Sequence, residues 1–135
     1  MSTTGVPSPP PGSPARILLV DDDPLITQLI TDMLSLDGYD IETAPNGIAA
    51  LAMVEGRRYD LILTDLHMPG LDGVGLFREL AKRGTHPPRQ MIFLTGTGGA
   101  SEAHRLVRDT GLPLLEKPFN LVELLELVRR VLRAA

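Results

Sequence analysis

The chain has 135 residues, with 13 Lys and Arg against 17 Asp and Glu and a formal net charge of −4, which is room for one domain whose core needs no disulfide or metal staple. A hydrophobic fraction of 43% with 22% charged residues argues against a disordered chain or a fibre, and the absence of Cys excludes thiolate nucleophiles, cysteine zinc sites and disulfide scaffolds. No apolar run approaches the roughly 20 residues that cross a bilayer, no signal peptide is visible, and mild acidity argues against binding driven by nucleic-acid phosphates. The expectation is therefore a cytoplasmic protein, with no membrane and no direct nucleic-acid partner.

Residues 1–14, MSTTGVPSPPPGSP, hold five of the twelve prolines and no charge. With Val6 as the one sizeable apolar group after Met1, this segment cannot offset the entropy of ordering itself. It reads as a disordered tail or linker, and 15–135 as the folded domain. From Arg16 onward, short apolar runs alternate with amphipathic stretches of helical length. The runs at 17–20, 61–63, 91–94 and 113–115, with a weaker one at 41–44, have strand length. Each is followed by apolar residues at helical spacing: Ile26, Leu29, Ile30, Met33 and Leu34; Ile48, Leu51 and Ala52; Val74, Phe77 and Leu80; Ala103, Leu106 and Val107; Leu121, Leu124, Leu125 and Val128. Five strands alternating with five helices predict an α/β fold with a parallel sheet covered on both faces, because continuous apolar strands are what two-sided burial demands. Asp23 before Pro24 has the form of a helix N-cap, Asn120 with Glu123 that of a capping box, and Gly38 and Gly111 can close the first and fourth helices.

Ligands of open parallel sheets bind beyond the carboxyl ends of the strands. The residues that end the apolar runs are therefore the candidates: Asp21, Asp22 and Asp23; Thr64 and Asp65; Thr95 and Gly96; Glu116, Lys117 and Pro118. Clustered carboxylates need a cation or raised pKa values, and as a cation site an all-oxygen donor set without Cys or a His cluster points to Mg²⁺. A carboxylate left free to attack phosphorus would be a phosphoryl acceptor, with a lysine and a hydroxyl to hold the other phosphoryl oxygens. Asp65 suits the acceptor role, since it ends the middle strand. Asp23 and Asp72 read as helix caps, not ligands. His67, His86 and His104 do not form a metal spacing.

The segments ILLVDDDP, LILTDLHMPGLDG, MIFLTG and LEKPF, in this order and at these spacings, resemble the receiver domain of two-component response regulators, of the chemotaxis-regulator type, over about residues 15–133. The resemblance implies a flavodoxin-like (βα)5 three-layer sandwich with strand order 2-1-3-4-5. It implies that Asp65 accepts phosphate from a phosphohistidine of a sensor histidine kinase or histidine phosphotransfer protein. It further implies that Asp21, Asp22, Asp65 and the backbone carbonyl of His67 hold Mg²⁺, that Thr95 contacts the phosphoryl group, that Lys117 pairs with it, and that the Lys117–Pro118 peptide is cis. His67, two residues after the acceptor, is placed to affect hydrolysis. No enzymatic turnover of a separate substrate is expected beyond self-phosphorylation and autodephosphorylation.

Two features depart from the commonest receiver pattern. Leu114 stands three residues before the lysine, where many receivers carry an aromatic switch residue, and the stretch 96–99 is rich in Gly, which predicts a mobile loop. Leu114 and Thr97 with the LEKPF ending also resemble receivers appended to hybrid sensor histidine kinases. The output surface is expected on the fourth helix, fifth strand and fifth helix, facing a downstream effector or a second copy in a homodimer. On the last helix, Leu127, Leu132, Arg129, Arg130 and Arg133 read equally as part of that surface or as a solvated helix end. The alternatives are an Mg²⁺-dependent phosphatase with an aspartyl nucleophile and a degenerate receiver used only for docking. The phosphatase reading is weakened by His67, where such enzymes place a second acid, and the docking reading by the full set of polar residues.

Overall fold

The computed structural model describes residues 14–66, 70–84, 90–95, 105, 108–116 and 120–134. Five strands, β1 (Arg16–Val20), β2 (Asp40–Ala44), β3 (Leu61–Asp65), β4 (Met91–Thr95) and β5 (Leu114–Glu116), form one sheet in the order β2-β1-β3-β4-β5. Every neighbouring pair is parallel. Between them run α1 (Pro24–Leu36), α2 (Gly47–Gly56) and α3 (Gly73–Arg83), with helical residues at 105 and 108–110 before β5 and a C-terminal helix over Leu121–Ala134. This is the flavodoxin-like architecture and strand order that the resemblance to receiver domains implies.

The strands are apolar on both faces because each face carries its own helices. Leu18, Val20, Ile62 and Phe93 point to one side, where they join Ala50 and Val54 of α2 and Val74, Leu76 and Leu80 of α3. Ile17, Leu19, Leu61, Leu63, Ile92 and Leu94 point to the other, against Ile30 and Leu34 of α1 and Leu124 and Val128 of the C-terminal helix. Each of these side chains larger than alanine contributes about 1.5–3 kcal/mol by leaving water. Phe77 and Phe93 add an edge-to-face contact on the first side, with ring centroids 6.1 Å apart.

Local signals set the helix ends. The Asp23 carboxylate accepts the N–H of Leu25 at 3.0 Å and Pro24 occupies the first helical turn, while Asp72 accepts from Gly75 at 2.9 Å to start α3. Asn120 Oδ1 accepts from the Val122 N–H at 2.7 Å and Glu123 reaches back to the Asn120 N–H at 3.3 Å, completing the capping box. Gly38 and Gly111 lie at φ values of 94° and 73°, a left-handed backbone that suits glycine.

Several details differ from the sequence reading, beginning with β1 and β2, which start one residue earlier, at Arg16 and Asp40. β3 and β4 run beyond their apolar residues through Asp65 and Thr95, because ladder hydrogen bonds depend on backbone and not on side chain; Asp65 is in register with Leu94, and Thr95 with Glu116. β5 begins at Leu114 and not at Pro113, which lacks an N–H but whose carbonyl accepts from Phe93 at 3.0 Å. On the C-terminal helix, Leu127 and Leu132 are partly buried against the core beside α1. Arg129 is committed to an intramolecular pair, donating to the two carboxylate oxygens of Asp37 at 2.6 and 3.1 Å.

Candidate functional site

Adjacent strands deliver the acidic residues. β1 and β3 lie side by side with Val20 opposite Thr64, so the residues that follow Val20 meet the one that ends β3. Asp21 and Asp65 are nearly buried, at 4% and 6% exposure, whereas Asp22 is exposed. One carboxylate oxygen from each of the three lies within 4.8 Å of the others. Two unit charges at 4.8 Å repel by about 3.5 kcal/mol at an effective dielectric of 20. The fold therefore holds together a group of like charges that water would separate. An all-oxygen set of this kind fits a hard divalent cation.

Backbone contacts keep the carboxylates in place. The Asp21 N–H donates to Ala44 of β2 at 3.2 Å, and Asp21 Oδ1 accepts the N–H of Asp23 at 2.9 Å. Asp21 is thus fixed by the same turn that starts α1. Behind Asp65, the Leu66 N–H donates to Leu94 at 2.8 Å, and the Thr64 hydroxyl donates to the Asp65 carbonyl at 3.1 Å. Gly73, at the first turn of α3, donates its N–H to Leu66 at 3.3 Å. A Cβ at Gly73 would lie 2.4 Å from the Asp65 carbonyl oxygen. The start of α3 therefore rests directly on the backbone of Asp65, a role that the sequence reading did not assign to the glycine of PGLDG.

Thr95 ends β4, the strand next to β3, and is 1% exposed. The structure thus gathers Asp21, Asp22 and Asp65 into one cluster and sets Thr95 at the end of the neighbouring strand. Asp23 and Asp72 serve as caps, as the sequence indicates. Lys117, Pro118, His67, His86, His104 and residues 96–99 lie outside the described residues, and with them the expectations for the lysine, the His67 carbonyl, the cis peptide and the glycine-rich loop.

The family model described as the response regulator receiver domain matches residues 17–129. The chain belongs to this family. Its curated relatives include response regulator MprA of Mycobacterium sp. strain KMS, 37% identical over 120 residues that cover 89% of this chain and 51% of the relative. The transcriptional regulatory protein CpxR homolog of Haemophilus influenzae is 37% identical over 124 residues, 88% of this chain and 51% of the relative. This receiver thus spans about half the length of the curated relatives it matches. Among solved structures, the chemotaxis protein CheY4 of Vibrio cholerae superimposes with a TM-score of 0.77 at 31% identity, over 87% of this chain and 98% of that one. A CheY-like receiver domain protein of Methanospirillum hungatei gives 0.80 at 30%, over 90% and 96%. No helix among the described residues of the receiver is long and apolar enough to cross a membrane.

Proposed function

We propose that this receiver accepts a phosphoryl group from a phosphohistidine onto Asp65. The observation that carries the reading is the juxtaposition of a buried carboxylate at the end of the central strand with two further carboxylates within 4.8 Å. In the transfer, an Asp65 carboxylate oxygen forms a bond to phosphorus as the bond from phosphorus to the imidazole nitrogen breaks, and the electron pair leaves with the imidazole. The product is an acyl phosphate. Hydrolysis reverses the charge state: water attacks phosphorus, the bond to the Asp65 oxygen breaks, and inorganic phosphate departs with the carboxylate restored.

Asp21, Asp22, Asp65 and the backbone carbonyl of His67 would hold Mg²⁺, whose chemistry there is to neutralise the carboxylates and the phosphoryl oxygens. The chain's own groups orient the acceptor. Burial of Asp65 between β1 and β4 restricts its carboxylate to the opening beyond the strand ends, and the fixed Asp21 turn holds the second acid opposite it. Thr95 lies one strand away, where its hydroxyl can donate to a phosphoryl oxygen, and Lys117 follows Glu116 at the end of β5 to pair with the same group. Such catalysis is positioning and charge neutralisation, without further covalent work by the protein.

The donor is a sensor histidine kinase or a histidine phosphotransfer protein, and the site of action is the cytoplasm. The output is a change in the face built from the fourth helix, β5 and the C-terminal helix, which would meet an effector or a second copy. Residues 1–14 serve as a tail or linker to the folded unit at 15–135. Incubation with Mg²⁺ and acetyl phosphate, followed by mass spectrometry of intact protein, tests the assignment. One phosphoryl adduct is expected on the wild-type chain and none on Asp65→Asn. An undiminished adduct on that variant would move the acceptor elsewhere, and the absence of any adduct on the wild-type chain would leave docking as the better reading.

A further inference from the structure

Gly47 opens α2, the helix that follows β2, and is buried. Its backbone conformation does not call for glycine, since the left-handed glycines among the described residues are Gly38, Gly70, Gly84 and Gly111. Capping does not call for it either, because the preceding Asn46 is the N-cap and accepts the Ala49 N–H at 2.8 Å. What excludes a side chain is space. A Cβ at position 47 would stand 2.4 Å from the carbonyl oxygen of Leu71, and the Gly47 N–H donates to that same oxygen at 3.1 Å. By contrast, a Cβ on Gly56, at the other end of the same helix, would meet nothing within 4 Å.

Leu71 belongs to the segment between β3 and α3. Two residues later comes Gly73, whose N–H binds Leu66 and whose bare Cα lies against the Asp65 carbonyl. The segment is therefore gripped at both sides by glycine backbones, one from α2 and one from the start of α3. We propose that Gly47 is a positioning residue for phosphoryl transfer: its bare Cα seats the Leu71 carbonyl and thereby sets where the β3–α3 segment, and Asp65 at its root, stand. This rests on Asp65 being the acceptor. Restoring an ordinary 3.4 Å contact around a new methyl group requires a displacement of about 1 Å, and a misplacement of that size at a reacting group costs up to about a hundredfold in rate.

The test compares Gly47→Ala with Gly56→Ala and Val54→Ala. Val54 is a buried residue of the same helix, two turns beyond Gly47, so its truncation weakens α2 packing without placing an atom against the Leu71 carbonyl. The rate of Asp65 phosphorylation by acetyl phosphate is measured at saturating Mg²⁺ and divided by the folded fraction from circular dichroism. Gly47→Ala is expected to lose ten- to a hundredfold, whereas the other two stay within about twofold of wild type. Equal rates per folded molecule in Gly47→Ala and Val54→Ala, on a wild-type chain that does form the adduct, overturn the inference alone. No adduct on the wild-type chain overturns the acceptor assignment and this inference with it. Should Gly47→Ala not fold, hydrogen exchange of the wild-type chain decides: coupling is reciprocal, so beryllofluoride with Mg²⁺ must slow exchange of the Gly47 amide more than that of the Val54 amide. Equal slowing at the two amides overturns the proposal.

Discussion

Replacing Asp21 by Asn is expected to make the metal-free receiver more stable. Asparagine keeps the shape of the side chain and the Oδ1 acceptor for the Asp23 N–H at 2.9 Å, so the turn into α1 survives while one negative charge is removed. Two carboxylates at 4.8 Å, the upper limit of the separations in this cluster, repel by about 3.5 kcal/mol at an effective dielectric of 20, before the other interactions of Asp21 and Asp65 are counted. The exposed Asp22 adds about 1 kcal/mol at the dielectric of water, and loss of the charge-assisted hydrogen bond to Asp23 subtracts about 1 kcal/mol. Allowing for salt screening and relaxation of the site, a net gain of about 1–3 kcal/mol is expected in EDTA, or roughly 4–12 °C in melting temperature for a domain of this size. In Mg²⁺ the difference narrows. A site that binds only the folded chain adds about 1.4 kcal/mol at ten times its dissociation constant, and Asp21→Asn forfeits most of this gain. Thermal unfolding followed by circular dichroism, with EDTA or Mg²⁺ at matched ionic strength, measures both effects. A variant less stable than wild type in EDTA, or one with an undiminished response to Mg²⁺, would refute the argument that the three acids form one strained cation site.

Truncating Leu124, which is fully buried on the C-terminal helix, to Ala should cost about 2–5 kcal/mol in urea unfolding; a cost below about 1 kcal/mol would mean that this helix is not docked on the core as described. Arg129 beside Asp37 holds that carboxyl below its ordinary value of 3.8, chiefly through their hydrogen bond. The pair therefore stabilises the fold above that pH, and its contribution fades as pH falls through the lowered native value. Asp37→Asn should accordingly be less stable than wild type near pH 6 and converge with it toward pH 2, and a stability difference independent of pH would exclude the charge as its source.

How much of this was legible before folding depends on how local each signal is. The strands were readable because each apolar run must satisfy two faces at once, and the caps at Asp23, Asp72 and Asn120 because a cap acts over only three residues. The cluster of Asp21, Asp22 and Asp65 was readable for a similar reason, since acids that end successive buried runs must emerge at one edge of a parallel sheet. Pairings across the fold were not. Arg129 and Asp37 are 92 positions apart, and Tyr59 donates to Glu42 at 2.6 Å across 17. No periodicity links such residues until the topology brings α1 beside the C-terminal helix. Helical spacing also gave too narrow a stripe to the last helix, since Leu127 and Leu132 are partly buried against the same core. Gly47 was invisible because a glycine required by a neighbour's carbonyl looks the same in sequence as one that opens a helix.

Among the described residues, the strand order leaves β2 and β5 at the two margins of the sheet, each with a row of backbone groups that no further strand pairs. β2 carries Asp40 and Glu42 there, paired with Arg16 and Arg57, and β5 is only three residues long and ends in the exposed Glu116. Charged side chains and short length are both poor templates for the addition of a foreign strand. The apolar strands that make the fold so easy to read, 61–65 and 91–95, are kept to the interior of the sheet, where amyloid-like association cannot reach them unless the domain opens.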